Sequence, residues 1–129
     1  MTRYLSTLLL ACLLAGCAGT DNRQSAIKAA QVSYIVYETL APECARETGR
    51  MVLIKRTRDL TLDEQDRYEK LIKLSRLMES YRQAHNLYIQ TLSDTGKETN
   101  RWLVTEYINS AIDLGLSLKL SFEAVRMSP

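Results

Sequence analysis

The chain has 129 residues, enough for one domain with a modest core and too few for two. Charged residues make up 25% and hydrophobic residues 46%, with five Gly and two Pro, a balance that excludes general disorder and suits a helix-rich globular protein. Lys and Arg number 17 against 15 Asp and Glu, so there is no basic footprint and no nucleic-acid partner is expected.

Met1-Thr2-Arg3 forms a short positive start, and Leu5 to Leu14 is an apolar run of signal-peptide length, too short to span a bilayer comfortably. It ends in Leu14-Ala15-Gly16-Cys17, a branched apolar residue and two small residues before a cysteine. This pattern resembles the lipobox of bacterial lipoproteins. The resemblance covers only about the first twenty residues and implies that residues 1–16 are a leader cut between Gly16 and Cys17, with acyl chains on Cys17. Because Ala18 rather than Asp follows the cysteine, it also implies the periplasmic leaflet of an outer membrane. The alternative is an ordinary secretory leader, cut after a small-x-small site, that leaves a soluble periplasmic protein. Two or three acyl chains at ~0.8 kcal/mol per buried methylene make attachment effectively permanent, whereas one chain holds only marginally.

On that reading Cys12 leaves with the leader and Cys17 is acylated, so Cys44 carries the one thiol of the mature chain. It is either buried as a small hydrophobe or a redox or partner contact with another chain, and its place in an apolar seam favours burial. Residues 17–25 read as the lipidated N-terminus and a short polar tether, and residues 26–127 as the folded domain.

Three helical periods follow the tether. In the first, Ile27, Ala30, Tyr34, Tyr37, Ala41, Cys44, Thr48 and Met51 are spaced alternately by three and four, the seam of a heptad, and the helix is expected to run to about Arg56. Pro42 either kinks it or begins a new helix, giving three helices or four. The second period opens at Thr61-Leu62-Asp63-Glu64, the spacing of a capping box, and its seam is Leu71, Leu74, Met78, Tyr81, His85, Tyr88 and Leu92. Thr95-Gly96-Lys97-Glu98 repeats the capping-box spacing and predicts a short turn into an antiparallel neighbour. The third seam is Val104, Ile108, Ala111, Gly115, Leu118, Phe122 and Val125, with Ala111 and Gly115 small enough for close approach. The expected fold is all-α, an antiparallel three-helix bundle with roughly +20° crossings, preceded by a signal peptide.

His85 is the single histidine and lies in the seam, where a packed imidazole bonded to a tyrosine or carboxylate of another helix is expected rather than a base or a metal ligand. Asp59, Asp63, Glu64, Asp66 and Glu69 favour the positive end of a helix dipole, and Arg46, Arg50, Lys55, Arg56 and Arg58 read as a solvated helix end. The seven tyrosines outnumber the one Phe, and Tyr34, Tyr68 and Tyr107 with Trp102 make a candidate interaction surface, since such rings pack while their polar atoms stay wet. The residues suggest no enzyme, no cofactor beyond the acyl lipid, and no metal. They point instead to a membrane-anchored adaptor that binds another envelope protein or itself, by analogy with lipoproteins that pilot secretion or pilus machinery or act in exclusion. The alternative is a binding protein for a lipid or small apolar ligand held within the bundle.

Overall fold

The computed structural model describes residues 23–127, with the first helix assigned from Thr2; the expected leader, the Gly16–Cys17 junction and most of the tether lie outside the described residues. Helix α1 (Thr2–Thr57), α2 (Leu62–Thr95) and α3 (Arg101–Ser117) make up the fold, with no strand among the described residues. The stretch of α1 from Ala26 to Tyr37 packs against the late half of α2 and the start of α3, joining Ala30 and Val36 with Tyr88, Leu92 and Val104. The late half of α1 meets the early half of α2 and the end of α3, joining Leu40 and Met51 with Leu71, Leu74 and Ala111. That pairing makes the bundle antiparallel. At 1.5 Å per residue α2 alone is about 50 Å long, so the body is elongated.

Pro42 lies inside α1, which runs through it unbroken, so the four-helix variant is not adopted. A proline inside a helix costs about 3 kcal/mol, because the missing N–H leaves a carbonyl without its donor. Here that carbonyl belongs to Glu38, an exposed residue that water can reach, while Leu40 and Cys44 on either side are fully packed. Burying such side chains at about 1.5–3 kcal/mol each holds the helix together across the break.

The buried face of α1 differs from the expected heptad seam. Ala26, Ala30, Ser33, Val36, Leu40, Cys44, Glu47 and Met51 face inward, whereas Ile27 is exposed and Tyr34, Tyr37, Ala41 and Thr48 lie half-buried on the flank. The inward residues advance at about 3.6 per turn, the period of a straight helix, because α1 faces two neighbours at once rather than one supercoiled partner. In α2 the expectation holds at six seam positions, from Leu71 to Leu92, and the neighbouring Ala84 takes the place of His85.

The ends of α2 follow local chemistry. The Glu64 N–H donates to Thr61 Oγ1 at 3.2 Å and the Thr61 N–H donates to Glu64 Oε1 at 3.0 Å, completing the capping box. Arg58 adds a two-pronged contact to the same carboxylate at 2.7 and 2.9 Å. Gly96 ends α2 with φ +70°, and its N–H donates to Leu92 O. The second capping box is not formed: Gly96 is consumed as the left-handed terminator of α2, and α3 starts at Arg101 after Asn100, which makes no side-chain capping bond.

The third helix is shorter than its seam suggests. It ends at Ser117, and the Leu120 N–H reaches Gly115 O at 3.1 Å while the Lys119 N–H reaches Leu116 O at 3.0 Å, the paired bonds of a Schellman turn. The chain then folds back along the bundle. Asn109 clamps Met127 with two bonds, Nδ2 donating to its carbonyl at 3.1 Å and Oδ1 accepting from its N–H at 3.0 Å. Thr39 Oγ1 accepts from the Glu123 N–H at 3.0 Å, and Arg126 pairs with Asp113. Phe122 therefore belongs to the returning tail, where its ring lies on Gly115, and Val125 is exposed.

Candidate functional site

Three places carry side chains beyond what core packing requires: an aromatic cluster between α1 and α2, a charged knot near the α1–α2 turn, and exposed apolar residues at both ends of the bundle.

Tyr34 and Tyr37 of α1 stack at 5.5 Å between ring centres, and Tyr34 stacks on His85 of α2 at 4.9 Å. Tyr81 lies within 5.6 Å of both Tyr37 and His85. A hydrogen-bonded line runs beneath these rings. Ser33 Oγ donates to Ala30 O at 2.9 Å, so it accepts from the Tyr81 hydroxyl at 2.7 Å, and Tyr81 in turn accepts from His85 Nδ1 at 3.3 Å in the tautomer protonated there. Burial lowers the pKa of His85 and raises that of Tyr81, so both stay neutral near pH 7. Ser33 and Tyr81 are fully sealed from solvent. The line therefore satisfies buried polar groups and orients rings across the α1–α2 contact. The expectation for His85 holds in part, since its bond is to a tyrosine of its own helix and the other helix supplies the stacked ring.

Glu47 is the charge at the centre of the knot. Only 6% exposed on α1, it receives Arg50 Nη2 at 2.6 Å and Arg67 Nη2 at 3.0 Å. Arg67 also donates through Nη1 to Leu118 O at 2.8 Å, tying α2 to the cap of α3. Bonding from Arg50 first, and from Arg67, holds the Glu47 carboxyl down at about 2. Arg50 thus belongs to this knot as well as to the basic stretch.

Cys44 is 2% exposed, with Sγ 3.6 Å from Leu71 O, and burial pushes its thiol pKa up, which makes it inert rather than nucleophilic. Tyr34 sits in the aromatic stack. Tyr68 packs half-buried near the opposite end, under Lys55 Nζ at 5.4 Å. Tyr107 packs half-buried against the core segment that holds Tyr88. Trp102 is 67% exposed on the first turn of α3. These four side chains thus occupy separate settings. Sequence reasoning missed Ser33, Glu47 and Thr105, three polar residues that face the interior. Their only signal was position, each lying on the inward arc of a helix whose rotation the heptad seam placed one residue off or left out.

Among the described residues no helix is long and apolar enough to cross a membrane, and no group of His, Cys, Asp and Glu is placed to hold a metal ion. Comparison of the chain with protein-family models, with curated proteins and with solved structures found no match.

Proposed function

We propose that this protein is a non-enzymatic lipoprotein of the outer membrane, acylated on Cys17 and cut after Gly16, whose helical body serves as an adaptor for another envelope protein. The observation that carries the reading is the Leu14-Ala15-Gly16-Cys17 pattern behind a positive start and an apolar run. The body suits the role. Leu62 is 90% and Leu53 62% exposed at the α1–α2 turn, the end of the bundle opposite Ala26, the first residue after the expected tether. Large apolar side chains at the tip farthest from an anchor are what a tethered adaptor presents to its partner. The interior that a bound lipid or apolar ligand would need is filled by Tyr81, Leu74 and Ile108, so the binding-protein reading draws no support from the core.

Two measurements test this. The intact mass of the mature protein should show a chain beginning at residue 17 with two or three acyl groups; a free thiol there removes the anchor. A photo-crosslinking residue placed at Leu62 in living cells should give one discrete protein adduct that the same residue at exposed Lys73 does not. Equal adducts at both positions, or none, would remove the adaptor role.

A further inference from the structure

The stretch of α1 after the expected tether, the start of α3 and the returning tail meet around a cleft of about 280 Å³. Of the seven described residues that line it, three are cations, Lys28 from α1, Arg101 from α3 and Arg126 from the tail, and none is acidic. Like charges brought together from three separate elements repel one another, so an anion placed among them lowers the energy. The acids outside the cleft leave donors free. Glu98 engages only Nη1 of Arg101, and Asp113 only Nη2 of Arg126, so Arg101 Nη2 and Arg126 Nε and Nη1 have no hydrogen-bond partner among the described residues. Both pairs are open to solvent, where such contacts are weak and yield to a better-placed anion.

The surroundings narrow what that anion is. Ala29, Val32 and Met127 give the cleft a carbon wall, and exposed apolar side chains continue from it. Thr39 faces the tail through its bond to the Glu123 N–H, and Val32 and Ile35, seven and four positions earlier, share that exposed flank of α1. Val125, on the tail between Glu123 and Met127, is exposed as well. Cations at one end of an apolar strip match an amphiphile with an anionic head and a hydrocarbon body. Ser25 also lines the cleft, and the stretch from Cys17 to Ser25 spans at most about 30 Å in any conformation, so an acyl anchor on Cys17 keeps the cleft within reach of a bilayer. We propose that this cleft binds the phosphate of an anionic phospholipid in the membrane that holds the chain, and that the bundle leans on the bilayer by its α1–tail flank. Lys28, Arg101 and Arg126 surround the phosphate, Ser25 donates its hydroxyl, and Val32, Ile35 and Val125 rest on the glycerol and upper acyl carbons. A zwitterionic head would bring an ammonium among three cations, so the anionic lipid is preferred. The proposal rests on the envelope-lipoprotein reading for the source of the lipid.

An environment-sensitive fluorescent amino acid in place of exposed Ile35 reports this flank, and the same residue in place of Leu62 reports the far end of the bundle. Each mature protein is reconstituted into vesicles of phosphatidylcholine alone or with phosphatidylglycerol, with acyl chains brominated near the headgroup. If the mass shows no acyl group, the same vesicles are added to the protein from outside, so loss of the anchor and loss of the cleft are read separately. The expected result is blue-shifted, bromine-quenched emission at position 35 with phosphatidylglycerol, severalfold weaker in phosphatidylcholine alone and absent at position 62. It should persist in excess inorganic phosphate. It should fall severalfold in Lys28→Gln, which removes one exposed charge and leaves the core intact, and recover in Lys28→Arg. Water-like emission at position 35 overturns the proposal. So do equal quenching in the two lipids or at the two positions, displacement by inorganic phosphate, which would make the cleft a site for free phosphate, and an unchanged response in Lys28→Gln.

Discussion

Glu47 on α1 and Arg67 on α2 meet at 3.0 Å, and the same guanidinium grips the carbonyl of Leu118 at the cap of α3, so one buried carboxylate joins all three helices. Its carboxyl is held at about 2 against an ordinary 4.5. A depressed acid pKa adds stability that is complete above the unfolded value and disappears as pH falls from 4.5 toward 2. His85 acts in the same direction higher on the scale. Burial lowers its pKa from 6.5, so protonating it below that value favours the unfolded chain. Stability measured by urea unfolding should therefore decline in two stages on acidification, the first absent in His85→Gln and the second reduced in Glu47→Gln, where the Glu64 carboxyl, held at about 2 by Arg58 and Thr61, still titrates. At neutral pH Glu47→Gln should lose about 2 kcal/mol, less than a fully buried pair because Arg50 and Arg67 are partly solvated. An acid profile unchanged in both variants would contradict this.

Gly115 has no room for a side chain. A Cβ there would lie 2.9 Å from the Phe122 ring and 3.1 Å from Leu40 Cδ1. Gly115→Ala gains about 1 kcal/mol of helix propensity and meets an overpacking cost of about 1–3 kcal/mol, for an expected net loss. Because the nearest obstacle is the returning tail, the substitution should also expose residues 118–127 to protease. In a Phe122→Ala background the penalty should shrink, and equal penalties in both backgrounds would show that the tail is not what fills the site.

Lys119 sits at φ +57°, a left-handed position that a side chain occupies at a cost of about 1 kcal/mol. Lys119→Gly should raise the urea midpoint by a corresponding amount, while Lys119→Ala, which keeps a Cβ, should not. Equal effects of the two variants would place the strain elsewhere.

Cys44 should resist modification until the bundle opens, since its thiol is sealed and its pKa raised by burial. With a thiol reagent in native buffer, mass spectrometry of the Cys44 peptide should show labelling at least a hundredfold slower than in urea, with the native rate tracking stability across variants. Labelling as fast in native buffer as in urea would mean that this region of α1 is not packed as described.

Thr61 with Glu64, a turn at Gly96, and six of the seven seam positions from Leu71 to Leu92 were legible in the sequence, because caps and helical periods are set within a few residues of chain, whereas the role of Gly96 as the terminator of α2 was not. The Leu14-Ala15-Gly16-Cys17 pattern, on which the proposed anchor rests, is equally local. Trp102 and Cys44 could be singled out by residue type alone, yet their surroundings could not. The rotation of α1, which turns Ser33, Val36, Leu40 and Glu47 inward and leaves Ile27 outside, depends on two neighbours pressing on one helix at once. The early end of α3 depends on Asn109 holding Met127 from eighteen positions away, and on Phe122 closing over Gly115. The unbonded Thr105 hydroxyl shows only when the α2–α3 turn is placed around it. Short-range hydrogen bonds and periodicity determined which segments are helices. Side-chain volume and charge, matched between segments far apart in the chain, decided which faces they bury and where they stop.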